Sequence, residues 1–243
     1  MYLLNSRLNE AKARENVSLT YYDDSGKLFG VKEYADAIEK QFIKRDMKWN
    51  FNHNLIEVDI ANKIAKFDKH WEEQGEYDED LKEHEILKKH QNVEVPFDFL
   101  HITPPQKAPD EIGKSAIGSA KGWVPVNKET LQHVKYKNIF SIGDIAAVPM
   151  GKTGGTVRKQ YKVLVENLIS VMEGKEPVSK FEGYTVCPLI TDIGQVMLAE
   201  FDWTGKPTPS FPLDPTQERW IWWLMKVYLL KPMTMYGMLS GKA

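Results

Sequence analysis

The chain has 243 residues and a mass of 28.0 kDa; 42% of it is hydrophobic and 27% charged, with 16 glycines and 13 prolines. That is enough to bury one large core or two small ones, and the balance excludes a disordered or collagen-like polymer. Thirty-two basic residues against 34 acidic ones give a net charge of −2, so no whole-chain field points to nucleic acid. A single cysteine rules out an intrachain disulfide framework. No apolar run is long enough to span a bilayer, and residues 1–12 read as neither a signal peptide nor a transit peptide.

In chain order, Tyr2, Leu3, Leu4 and Leu8 read as the tail of a helix, and residues 17–22 as a strand. A turn at Asp23, Asp24, Ser25 and Gly26 leads into a helix over residues 31–45, with Tyr34, Ile38 and Phe42 on one face. Strands are expected at 48–52, 54–59 and 63–67. Strand, helix, strand is the α/β order, here an incomplete Rossmann-like unit. Residues 69–90 are densely charged and read as a solvated loop or a β-hairpin insertion, with an acidic interaction patch as the other possibility. Residues 93–103 read as a strand stopped by Pro104 and Pro105, because proline cannot donate to a ladder. A short extended stretch follows from Gly122, then a buried-type strand at 138–142. Residues 156–172 read as a helix with Val157, Tyr161, Val165, Leu168 and Val171 as its apolar stripe. From Pro177 the chain becomes rich in proline and tryptophan, which marks a boundary.

Four features could carry chemistry. The 138–142 strand runs into Gly143 and Asp144, which sets a carboxylate at the carboxyl edge of a sheet, where α/β folds bind ligands; an ordinary Asp turn fits the same letters. Gly151, Lys152, Thr153, Gly154 and Gly155 sit before a helix whose free amides attract electron-rich groups. They fail as a P-loop, because residue 146 is alanine where that motif needs glycine. Cys187 stands between turn formers and reads either as a small buried hydrophobe or as a reactive thiol. The tail, residues 217–243, clusters Trp220, Trp222 and Trp223 between Arg219 and Lys231. It suits a membrane interface, with lysines snorkelling to the headgroups, or a buried packing helix. The six histidines lack ligand-like spacing, so no metal site is expected.

Taken together the residues resemble the C-terminal half of the eukaryotic-type sulfide:quinone oxidoreductases. The matching runs are residues 28–37, 101–105, 122–124, 128–133 and 142–144, then Lys152-Thr153, residues 183–189 (Gly-Tyr-Thr-Val-Cys-Pro-Leu) and residues 198–202. The resemblance implies an FAD-dependent two-dinucleotide-binding-domain flavoprotein that oxidises sulfide to a cysteine persulfide, passes the electrons to ubiquinone and hands the sulfur to an acceptor. It implies Asp144, after Gly143, on the FAD ribitol, with Lys152, Thr153, Gly154 and Gly155 near the isoalloxazine. Cys187 becomes one of two redox cysteines and residues 217–243 a membrane foot, giving a peripheral mitochondrial inner-membrane protein.

The implied layout has three parts. Residues 1–115 form a partial second Rossmann-like unit carrying the charged insertion 69–90, residues 116–176 the C-terminal piece of the FAD domain, and residues 177–243 the cysteine and membrane region. The G-x-G-x-x-G fingerprint and the second redox cysteine of a full member are not found in the sequence, so a fragment, inactive alone, is expected. An NAD(P)H:quinone dehydrogenase of the same superfamily and a non-catalytic membrane-associated module are the alternatives.

Overall fold

The computed structural model describes residues 1–241; Lys242 and Ala243, the end of the tail singled out above, lie outside the described residues. The chain divides into two compact units. The first takes Leu3–Phe29 and Ile38–Pro104; the second takes Gly30–Ala37 and the chain from Pro105 onward.

Helix α1 (Tyr2–Glu10) and strand β1 (Leu19–Tyr22) open the chain, followed by α2 (Lys32–Lys44), whose first residues to Ala37 count with the second unit and the rest with the first, and by β2 (Met47–Asn50). β1 and β2 pair in parallel, from Leu19 opposite Met47 to Tyr22 opposite Asn50. Parallel neighbours need a crossover, and α2 supplies it. The sequence pattern is borne out here, with Tyr34, Ile38 and Phe42 all buried. The end of α2 is fixed by Arg14, whose guanidinium donates to the carbonyls of Arg45 and Asp46 at 2.7 Å each. A cation suits the negative end of a helix.

An antiparallel meander follows: β3 (His53–Asp59), β4 (Ile64–Asp78) and β5 (Glu83–Pro96). β3 pairs with β4 only as far as Lys69. Beyond that point β4 and β5 continue alone as a two-stranded ribbon to a turn at residues 79–82. The charged segment is therefore a hairpin. Both faces of the ribbon meet water, so neither offers a dry side for an apolar alternation, and Glu72 stands opposite Lys88 across it. Two expectations are corrected. The strand at 63–67 runs on to Asp78, and the strand placed at 93–103 begins at Glu83 and stops at Pro96. Phe97 then leaves the ladder by donating to the Lys63 carbonyl at 2.9 Å, so Pro104 and Pro105 fall in irregular chain.

The second unit has a core of Val124, Val126, Leu131, Ala146, Val148 and Phe181. It is held largely by single bridges, Val124 to Ala146 in parallel and Val126 to His133 antiparallel. The strand expected at 138–142 is not a ladder strand. Among the described residues it makes one bridge, Gln132 to Phe140, since only the short stretch around residue 132 lies alongside it. Next come the short α3 (Asp110–Gly113) and the 19-residue α4 (Gly154–Met172). The hairpin β6 (Thr185–Asp192) and β7 (Gln195–Phe201) follows, and β8 (Glu218–Arg219) adds to β7.

From Trp220 the chain is helical to Ser240: α5 (Trp220–Leu224), a wide π turn, α6 (Leu230–Pro232), a second π turn and a 3₁₀ turn. Trp222 is 6% exposed and packs on Val196 and Leu198 of β7. Trp220, Tyr228, Leu229, Tyr236 and Leu239 remain exposed. No helix among the described residues is long and apolar enough to cross a membrane.

Candidate functional site

The candidate residues Gly143, Asp144, Lys152 to Gly155 and Cys187 all fall in the second unit. Gly143–Ile145 form a 3₁₀ turn after extended Ile142. Gly143 sits at φ +70°, a left-handed conformation that glycine adopts without strain. Its N–H donates to Oε1 of Gln160 at 3.0 Å, so α4 grips the turn from below. Asp144 is exposed at the tip. Lys152 closes the same loop, donating to the carbonyls of Asp144 and, at 3.1 Å, Ala146. Its ammonium lies 3.6 Å from the centre of the Trp123 ring, a cation–π seat. Burial lowers the Lys152 pKa, and the Asp144 carboxylate opposes that shift.

Thr153 is the N-cap of α4, its Oγ1 accepting from the Thr156 N–H at 3.3 Å. The first amides of a helix have no intrahelical acceptor and carry a partial positive charge. Gly154 and Gly155 sit there with opposite surroundings. A Cβ on Gly154 would meet open space, whereas one on Gly155 would lie 2.1 Å from Cγ1 of Val186. The helix start thus packs against β6 one residue before Cys187. The structure brings Gly143, Asp144, Lys152 and Thr153 into one loop and seats Gly155 against the cysteine strand, with Gly154 facing open space.

Cys187 is half-buried opposite Ala199 of β7. Burial pushes its thiol pKa up, and the Lys226 ammonium draws it back down. Lys226 donates to the Pro188 carbonyl at 3.1 Å. Of the two readings of the tail, the interfacial one sends its lysines outward to a headgroup zone; Lys226 instead turns inward to the sheet, as the packing reading allows. Alkylation of Cys187 by iodoacetamide is expected to accelerate only above the pH at which a free thiol ionises, because burial favours the neutral form. Lys226→Met should move that rise to still higher pH, whereas a profile centred on the free-thiol range, unmoved by the substitution, would contradict it.

Sequence reasoning missed the polar face of α4. The expected stripe is nowhere fully buried: Val165 is 46% exposed and Val157, Tyr161, Leu168 and Val171 are half-buried, while Thr156, Gln160 and Asn167 are fully buried. Asn167 donates to the carbonyls of Thr130 and Ser179 and accepts from the Ser179 N–H. Polar side chains at 156, 160 and 167 share one helical face, and that spacing was the available signal. Also missed was a buried carboxylate, Glu200, which accepts from the Tyr184 hydroxyl and from Ser210 Oγ and N–H at 2.6 and 2.9 Å. Burial first, then the hydrogen bond to Glu200, pushes the Tyr184 pKa up to about 12. No group of metal-ligating side chains occurs among the described residues.

The fold is shared with chains of known structure that are distant in sequence. A chain of the Tetrahymena thermophila mitochondrial ATP synthase cryo-EM structure superposes with a TM-score of 0.72 at 19% identity, covering 96% of this chain and 54% of that one. The sulfide:quinone oxidoreductase of Aquifex aeolicus superposes with a TM-score of 0.61 at 18% identity, covering 82% and 46%. No protein-family profile matches the chain. Sequence identity goes further than fold. The mitochondrial sulfide:quinone oxidoreductase of Mus musculus is 38% identical over 242 residues, 99% of this chain and 50% of the relative. That of Dictyostelium discoideum is 32% identical over 243 residues, again 50% of the relative. The chain is homologous, end to end, to the sulfide:quinone oxidoreductases and spans about half the length of the curated relatives it matches.

Proposed function

We propose that the chain is the C-terminal half of an FAD-dependent sulfide:quinone oxidoreductase, peripheral on the mitochondrial inner membrane. One observation carries the reading: the start of α4, next to the Gly143–Asp144 turn, packs on the strand residue that precedes Cys187. The residues fit a flavin. Asp144 offers an exposed carboxylate to sugar-alcohol hydroxyls, Gly154 leaves open space at the helix start, and the amides there favour negative charge. Lys152 serves by holding the Asp144 loop in place. When bound, FAD supplies the two-electron redox chemistry that links sulfide to quinone. Cys187 would carry the sulfide sulfur as a persulfide, the thiol and the sulfide together giving up two protons to solvent and two electrons to FAD as the oxidant, and Lys226 favours the thiolate form of the cysteine. Exposed Trp220, Tyr228, Leu229 and Tyr236 form the apolar surface that rests on the bilayer.

Residues 1–243 alone are expected to hold FAD weakly and to show no sulfide-dependent quinone reduction. Adding the N-terminal half of the mouse relative should restore that activity, and Cys187→Ser should remove it. Robust turnover by the chain alone, or turnover indifferent to Cys187→Ser, would overturn the reading. Gly154→Ala is a second check. With no neighbour within 4 Å it should change stability by less than about 0.5 kcal/mol, yet weaken FAD binding severalfold in a fluorescence titration.

A further inference from the structure

Gln160 is wholly buried on α4, and its amide is only half used. Oε1 accepts the Gly143 N–H at 3.0 Å, while Nε2 has no partner among the described residues. The amide cannot be turned over, since that would set Nε2, a donor, against the Gly143 donor. Two residues before the turn, Ser141 Oγ is also buried without a partner. Leaving a buried polar atom unpaired costs roughly 1–3 kcal/mol. A leucine or methionine would avoid that cost at position 160 and would still fill a helix face. What the glutamine retains is the single bond to Gly143, and with it the left-handed φ of +70° from which Asp144 projects.

We propose that Gln160 is a positioning residue for cofactor binding: by holding the Gly143 N–H it fixes the turn that presents Asp144. This deepens the flavin reading and rests on it for the identity of the ligand. The role of Gln160 in the turn itself is separable from that reading. Gln160→Met keeps length and burial but removes the acceptor, whereas Gln160→Glu keeps an acceptor and removes the two N–H donors.

The test uses residues 1–243 and two readouts. Amide exchange at Gly143, followed by NMR, is expected to be about tenfold faster in Gln160→Met, the equivalent of losing one net hydrogen bond, and near wild type in Gln160→Glu. Titration with FAD, followed by flavin fluorescence, is expected to show about tenfold weaker binding in Gln160→Met, approaching the loss in Asp144→Ala. Unchanged Gly143 exchange in Gln160→Met would overturn the proposal, as would faster exchange with undiminished FAD affinity. If the wild-type chain and Asp144→Ala bind FAD equally or not at all, the flavin reading of the site fails, and the exchange result still decides whether Gln160 holds the turn. Should Gln160→Met fail to fold, Gln160→Glu carries the test: fast exchange in a folded Glu variant would overturn the proposal.

Discussion

Replacing Asn167 by alanine is expected to destabilise the second unit by roughly 3 kcal/mol. The residue is completely buried and makes three hydrogen bonds to backbone: its amide donates to Thr130 and Ser179 at 3.0 and 2.9 Å and accepts from Ser179 at 2.9 Å. Truncation leaves two carbonyls and one N–H without their partner in a place where water has little access. The residues around 130 and 179 belong to irregular chain, so no ladder replaces what Asn167 provides. Thermal unfolding should show the midpoint lowered by roughly 6–12 °C. Asn167→Asp should recover part of this, because it keeps the acceptor for the Ser179 N–H. A midpoint unchanged by alanine would mean that the segment around Ser179 is held by other contacts.

Gly155→Ala should come close to that effect for a different reason. Its Cβ would fall 2.1 Å from Cγ1 of Val186, well inside van der Waals contact. Valine is short and branched, so it has no flexible end to swing away. Either the helix start backs off β6 or the strand shifts, and overpacking of this kind costs about 1–3 kcal/mol. Urea denaturation should report the loss, while Gly154→Ala one position earlier should not. Gly155→Ala combined with Val186→Ala should restore most of the stability, since the second change removes the obstructing methyl. The same displacement would move Cys187 relative to the turn at Gly143, so its alkylation rate should change in the single variant and return in the double.

Much of the first unit was legible because its signals are local. The α2 stripe has a helical period, and a parallel pair of strands demands the crossover that α2 makes. Where the pattern misled, the cause was long-range. α4 carries apolar residues at a helical spacing, yet its buried face is the polar one, because Gln160 and Asn167 find specific backbone partners 17 and 37 residues away in sequence. A propensity rule cannot know of those partners. The extent of β5 was misread because its first half is charged and gains its ladder bonds from β4 rather than from burial. At the site, Gly143 and Asp144 form the turn that the plainer of the two readings expected, but the apolar run before them is not the sheet strand whose carboxyl edge was to carry the carboxylate. The inward course of Lys226 was hidden, since the sequence does not reveal that α5 and the π turn after it bring its ammonium back to Pro188.

The ribbon formed by β4 and β5 beyond Lys69 has a practical consequence. Its tip at residues 79–82 is exposed, and every ladder bond near it is internal to the two strands. Exposed tips of this kind accept spliced-in peptides with little penalty, because lengthening a loop adds only a slowly growing entropy. An epitope or a fluorophore-binding tag inserted there would report on the chain in cells while leaving both termini free.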